Sequence, residues 1–129
     1  MCGKQKFFVC KHCGNMIGLI DDKHVPMICC GDKMTELVPN TFEASVEKHL
    51  PVVSVLGNSL KVSVGSVFHP MESAHNISFV YVETERGGQR KCLKVDEAPT
   101  IMFSLSDDKP IAVYAYCNLH GLWKTEIKS

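Results

Sequence analysis

Cys10-Lys11-His12-Cys13 sets two thiols three positions apart, and Cys29-Cys30 adds two more. Four thiolates from so short a stretch suit a tetrahedral ion, either zinc or iron, and the spacing does not choose between them. A zinc knuckle that only staples the chain, a pair of disulfides and a thioredoxin-like redox pair are the alternatives. The last lacks a surrounding βαβ pattern. Adjacent ligands at Cys29-Cys30 are less common than a second Cys-x-x-Cys knuckle, which makes this arrangement the more diagnostic.

A second set of metal-binding side chains follows. His49 comes directly after Glu47-Lys48, His69 stands in Phe68-His69-Pro70-Met71, and His75 lies six residues further on. Cys117-Asn118-Leu119-His120-Gly121 supplies a thiol and an imidazole close together. Imidazole with thiolate suits iron, copper or zinc. A lone histidine is more often an ordinary surface or hydrogen-bonded residue. Four beside expected strand ends, with a Cys-x-x-His among them, point to a metal.

The elements that must carry these groups are short. The chain has 129 residues, enough for one ordinary domain or two very small ones. Five of its seven cysteines fall in the first 30 positions, whereas His49, His69, His75 and His120 are spread through the rest, so two units with two chemistries are expected, 1–37 and 38–129. The first is too small to fold on apolar burial alone and needs a metal, a disulfide or a partner. Phe7-Phe8-Val9 and Met16–Ile20 read as its strands, with turns at Cys13-Gly14-Asn15 and Cys30-Gly31-Asp32. Val38-Pro39-Asn40-Thr41 reads as a linker, and Glu43–Lys48 as a brief helical turn halted before Pro51.

Beyond it, apolar residues recur at every second position in Leu60/Val62/Val64, Ile77/Phe79/Tyr81, Ile101/Phe103/Leu105 and Ile111/Val113/Ala115. Arg86-Gly87-Gly88-Gln89 reads as a hairpin turn. About seven short strands in the remaining sequence predict an antiparallel sandwich of immunoglobulin type, without the cysteine pair of antibody domains. The fold class is thus mainly β: a metal-stapled first unit followed by a sandwich.

Formal net charge is zero, which gives no global reason for a nucleic-acid or anionic-membrane partner. No apolar run spans a bilayer, and the opening residues do not form a signal-peptide core. A cytoplasmic protein is expected, where thiols stay reduced.

Taken together, Cys10-Lys11-His12-Cys13-Gly14-Asn15, Cys29-Cys30-Gly31 and Met34, then Glu47-Lys48-His49-Leu50-Pro51-Val52, Val64 to Glu72, His75, Leu93-Lys94, Ala98-Pro99 and Tyr116 to Gly121, resemble desulfoferrodoxins in order and along nearly the whole chain. The resemblance implies a desulforedoxin-like domain joined to an immunoglobulin-like sandwich, usually as a homodimer, with two non-haem irons. Cys10, Cys13, Cys29 and Cys30 would hold one. His49, His69, His75 and His120 would lie in the plane of the second, with Cys117 axial. One departure is Leu122-Trp123, where many relatives carry a histidine before the tryptophan; that position is not a ligand. Cys2 and Cys92 match no family feature and read as a tail thiol and a small hydrophobe packed in a strand.

The activity implied is superoxide reduction to hydrogen peroxide, with electrons from an external, rubredoxin-like donor. Five protein ligands leave an octahedral position open, as a catalytic site requires. A thiolate opposite the substrate pushes electron density onto the iron. Lys48 would steer the anion and hold a proton-donating water, and Glu47 resembles the family glutamate that occupies the open position after oxidation. An electron-transfer protein, a zinc-stapled interaction module and a superoxide dismutase are the rival readings.

Overall fold

The computed structural model describes residues 3–128. Cys2 lies outside them. The chain divides into two compact units, Met1–Val38 and Pro39–Ser129.

In the first unit β1 (Lys6–Val9) pairs antiparallel with β2 (Met16–Leu19), and β5 (Thr35–Glu36) adds on the other side of β1. A second, two-stranded ribbon joins β3 (Ile28–Cys29) to β4 (Asp32–Lys33). Its two-residue turn has Cys30 at φ 53° and Gly31 at φ 75°, the doubly left-handed geometry that suits the twist of a tight hairpin. Successive strand side chains point to opposite faces. The left-handed turn at Cys30 is what lets two adjacent cysteines serve one centre. Phe7 and Cys10 are the buried apolar residues here, too few for an independent core.

The second unit is a sandwich of seven strands. One sheet runs β10 (Thr100–Ser104), β7 (Ser59–Val64), β6 (Pro51–Leu56); the other runs β12 (Gly121–Glu126), β11 (Pro110–Cys117), β8 (Ile77–Thr84), β9 (Gly87–Cys92). All the pairings are antiparallel. Leu60, Val62, Val64 and Phe103 from the first sheet meet Val80, Val82, Val113 and Ala115 from the second, all fully buried. A four-residue helix, α1 (Val46–His49), precedes β6.

Three local expectations are corrected. On β8 the core residues are Ile77, Val80 and Val82, not Ile77, Phe79 and Tyr81. A register shift opposite Tyr116/Cys117 flips the face of the strand between Ile77 and Val80. The β8–β9 turn is Glu85-Arg86, and the two glycines open β9. Gly88 is required there because a Cβ would collide with the Tyr81 hydroxyl. Cys92, expected to pack as a small hydrophobe, is exposed at the end of β9, where Arg90 donates to its sulfur at 3.2 Å. The segment read as a linker contains the boundary between the two units, and its Asn40 donates to the Leu122 carbonyl and exchanges side-chain bonds with the Lys124 backbone.

Among the described residues, no helix is long and apolar enough to cross a membrane.

Candidate metal centres

The sulfurs of Cys10, Cys13, Cys29 and Cys30 lie within 4.8 Å of one another. All are free thiols, and the Cys13–Cys29 sulfur separation of 3.6 Å is far beyond a disulfide bond. The loop that sets the first pair is closed by Gly14 donating to the Cys10 carbonyl and Cys10 to the Asn15 carbonyl, both at 2.8 Å. Asn15 also faces the sulfurs, its backbone N–H reaching Cys13 at 3.5 Å and its side-chain amide reaching Cys29 at 3.9 Å. His12 Nε2 meets Asp32 Oδ2 at 3.1 Å, linking the two thiol loops across the surface.

The Cys13 N–H, aimed at the Cys10 sulfur, lowers that thiol to about 6. Hydrogen bonding with Cys13 and then Cys10 pushes Cys30 up to about 12, and Cys10 likewise raises Cys29. The Cys10 thiolate forms easily, while Cys29 and Cys30 resist ionising beside it. Four sulfurs so close can all ionise only around a cation, which deprotonates coordinating thiols outright.

The second cluster is His49, His69, His75, Cys117 and His120, one ligand atom from each within 4.8 Å of the others. It sits at one end of the sandwich. His49 ends α1, His69 and His75 lie in the long β7–β8 connection, and Cys117 is the last residue of β11. Asn118-Leu119-His120 is the turn into β12, so a single hairpin delivers both the thiol and an imidazole.

His49 Nδ1 donates to the Ser45 carbonyl at 2.6 Å, and His69 Nδ1 to the Pro70 carbonyl at 2.7 Å. These bonds fix both tautomers and leave Nε2 as a lone pair. The two Nε2 atoms nevertheless face each other at 3.1 Å, where neither has a proton to give. His120 presents Nδ1 to the same point, 3.0 Å from His49 Nε2 and 3.8 Å from the Cys117 sulfur. That sulfur is 3.3 Å from His69 Nε2. His75 Nε2 is buried with no hydrogen-bond partner. Burial lowers the pKa of His49, and lowers that of His69 to about 4, so both are neutral at physiological pH. Convergent, neutral, acceptor-only nitrogens around a buried thiol fit a transition-metal ion.

Glu47 and Lys48 precede His49 on α1 with exposed side chains, and neither is among the converging ligand atoms. The Glu47 carbonyl is held by Val67 N–H at 3.0 Å and Ser66 Oγ at 3.2 Å, which fixes α1 to the loop leading to His69. Sequence reasoning passed over several supporting residues. Trp123 stacks on His49, Asn118 holds the loop bearing His75, and Phe42 tilts over His120 at 5.3 Å. Each neighbours a ligand in space but carries no metal-binding group, and only Asn118 lies inside a recognisable motif.

Residues 41–126 match the family model for desulfoferrodoxin. A desulfoferrodoxin of Nitratidesulfovibrio vulgaris is 37% identical over 126 residues, covering 98% of this chain and 99% of that protein. A desulfoferrodoxin homologue of Archaeoglobus fulgidus is 36% identical over 92% of this chain and 94% of its own length. The crystal structure of the superoxide reductase from Treponema pallidum superposes with a TM-score of 0.80 at 35% identity, covering 95% of this chain and 98% of that one. With the four-cysteine group and the four-histidine, one-cysteine group in the places of two iron sites, this chain belongs to the desulfoferrodoxin family.

Proposed function

We propose that this chain is a superoxide reductase, in which superoxide takes up one electron and two protons to give hydrogen peroxide. The observation that carries this reading is the convergence of four imidazoles and one thiol in a chain similar to the Treponema pallidum superoxide reductase over 95% of its length. His49, His69, His75, His120 and Cys117 would hold the iron, which supplies the transferred electron when bound. Cys10, Cys13, Cys29 and Cys30 would hold a second iron.

The chain's own residues set the conditions. His49 and His69 keep their outer protons on backbone carbonyls and stay neutral, so they add no positive charge of their own. Cys117 is buried, away from solvent oxidants. Lys48, exposed beside the buried His49, offers a local cation that draws in the anionic substrate and organises water as a proton source. Glu47, its exposed neighbour, would cover the reacting position after turnover.

The division of labour follows the two units. Residues 1–38 form the desulforedoxin-like domain, whose iron is chiefly a folding staple, and residues 39–129 form the catalytic sandwich. The donor is a rubredoxin-like electron carrier, and the chain works in the cytoplasm. A homodimer is favoured by the exposure of Ile20, Val25 and Ile28 in a unit with so little core of its own.

The test is to mix the reduced, two-iron protein with superoxide and quantify products. One peroxide per superoxide consumed, with no oxygen released, is expected. Oxygen evolution at half the superoxide consumed would mean a dismutase instead.

A further inference from the structure

We propose that Asn118 is a positioning residue that holds His75 on the metal. The inference rests on the reading of His75 as a ligand.

His75 differs from the other imidazoles. His49 and His69 are each oriented by an Nδ1–H donated to a carbonyl. The His75 Nε2 is buried without a hydrogen-bond partner. A ligating histidine normally has its ring direction set by the bond at its other nitrogen. At His75 the ring's edge contacts with His69 and His120 share that task with the backbone that carries it.

That backbone is a loop closed on itself, with Glu72 N–H donating to the His75 carbonyl at 2.9 Å and His75 N–H returning to Glu72 at 3.2 Å. Asn118 grips it on both sides of His75. Its Nδ2 donates to the Ala74 carbonyl at 3.0 Å, its Oδ1 accepts from Asn76 N–H at 2.9 Å, and its own N–H donates to the Asn76 carbonyl at 3.2 Å. An asparagine amide is suited to this task because one side chain must donate and accept at once. Aspartate lacks the donor and alanine lacks both groups. Asn118 is exposed, so apolar burial does not explain it.

The position matters as much as the bonds. Asn118 follows Cys117 and stands two residues before His120. The hairpin that delivers two ligands therefore also fixes the loop that delivers a third. Displacement of a ligand by about 1 Å is enough to weaken a site built on fixed geometry.

The experiment measures transfer of iron from the reduced, two-iron protein to a ferrous chelator, with the four-cysteine iron of the same chain as an internal control. Asn118→Ala is expected to weaken retention at the histidine site by about 10-fold, the usual scale for a supporting contact, and to change its visible band in the same sense as His75→Ala. Asn118→Asp, which keeps the acceptor and loses the donor, is expected to fall between. The double variant Asn118→Ala/His75→Ala is expected to be no weaker than His75→Ala alone. Equal losses from Asn118→Ala with and without His75 would overturn the proposal, since that is what a merely structural asparagine does. No loss in Asn118→Ala would overturn it too. If His75→Ala itself leaves retention unchanged, the ligand assignment fails first and takes this proposal with it.

Discussion

The Trp123 indole stacks on the His49 imidazole, ring centroids 5.0 Å apart and planes 28° from parallel, while its Nε1–H donates to the His120 carbonyl at 3.1 Å. One buried side chain thus braces two histidines of the cluster, one by its face and one through the backbone. Trp123→Phe keeps an aromatic face and removes the donor, which should cost about 1 kcal/mol in urea unfolding. Trp123→Leu removes the ring stack as well and should cost more, with looser iron at the histidine site. If the two variants were equal in both respects, the stack would contribute nothing.

Gly65 closes β7 against the turn that presents His49. A Cβ there would meet the Glu47 carbonyl oxygen at 2.5 Å and that of Leu50 at 2.9 Å, both backbone atoms that cannot swing aside. Gly65→Ala should therefore push α1 outward and withdraw His49, with a stability cost of roughly 1–3 kcal/mol. Metal analysis of the purified variant checks this. Iron should be depleted at the histidine site and retained by the four cysteines, and full occupancy of both would contradict the account.

Much of this arrangement is readable in the sequence. All nine side chains of the two clusters are picked out by their types and spacing, and the alternation of Leu60, Val62 and Val64 marks a true core face. What is not readable has physical causes. The face of β8 depends on a register shift opposite Cys117, a two-strand property that no single-strand pattern carries. Gly87-Gly88 resembles a turn locally, yet Gly88 is dictated by Tyr81 on the neighbouring strand. The exposure of Cys92 follows from its place at the end of an edge strand. Trp123 and Asn118 act through contacts that exist only once the hairpin, α1 and the β7–β8 loop have met.

The metal-free chain should be acid-sensitive in a defined window. His49 and His69 are buried neutral, with folded pKa values below the ordinary 6.5, that of His69 near 4. The unfolded chain binds protons first, so this contribution is fully present above about 6.5 and is lost as pH falls towards the folded values. For His69 alone the loss is on the order of 3 kcal/mol. Urea midpoints of the metal-free protein should fall from pH 7 to pH 4. His69→Gln should flatten the slope, and an unchanged slope would mean that His69 does not titrate with folding.

At the four-cysteine site Asn15 makes two contacts of different kinds. Its backbone N–H points at the Cys13 sulfur and survives any substitution but proline, whereas its side-chain amide, 3.9 Å from the Cys29 sulfur, does not. A donor near a thiolate stabilises the more negative, ferrous state of an iron bound by four sulfurs, and so raises its reduction potential. Asn15→Ala should lower the potential of that iron, by up to about 59 mV, the one-electron equivalent of a tenfold change. Asn15→Asp, which replaces the donor with a negative charge, should lower it further. Redox titration followed at the visible bands of each centre separates the two irons, and the histidine-site potential should not move. If neither variant shifts the four-cysteine potential, the side-chain contact is too long to tune the metal, and the backbone N–H groups around Cys10 and Cys13 carry the tuning alone.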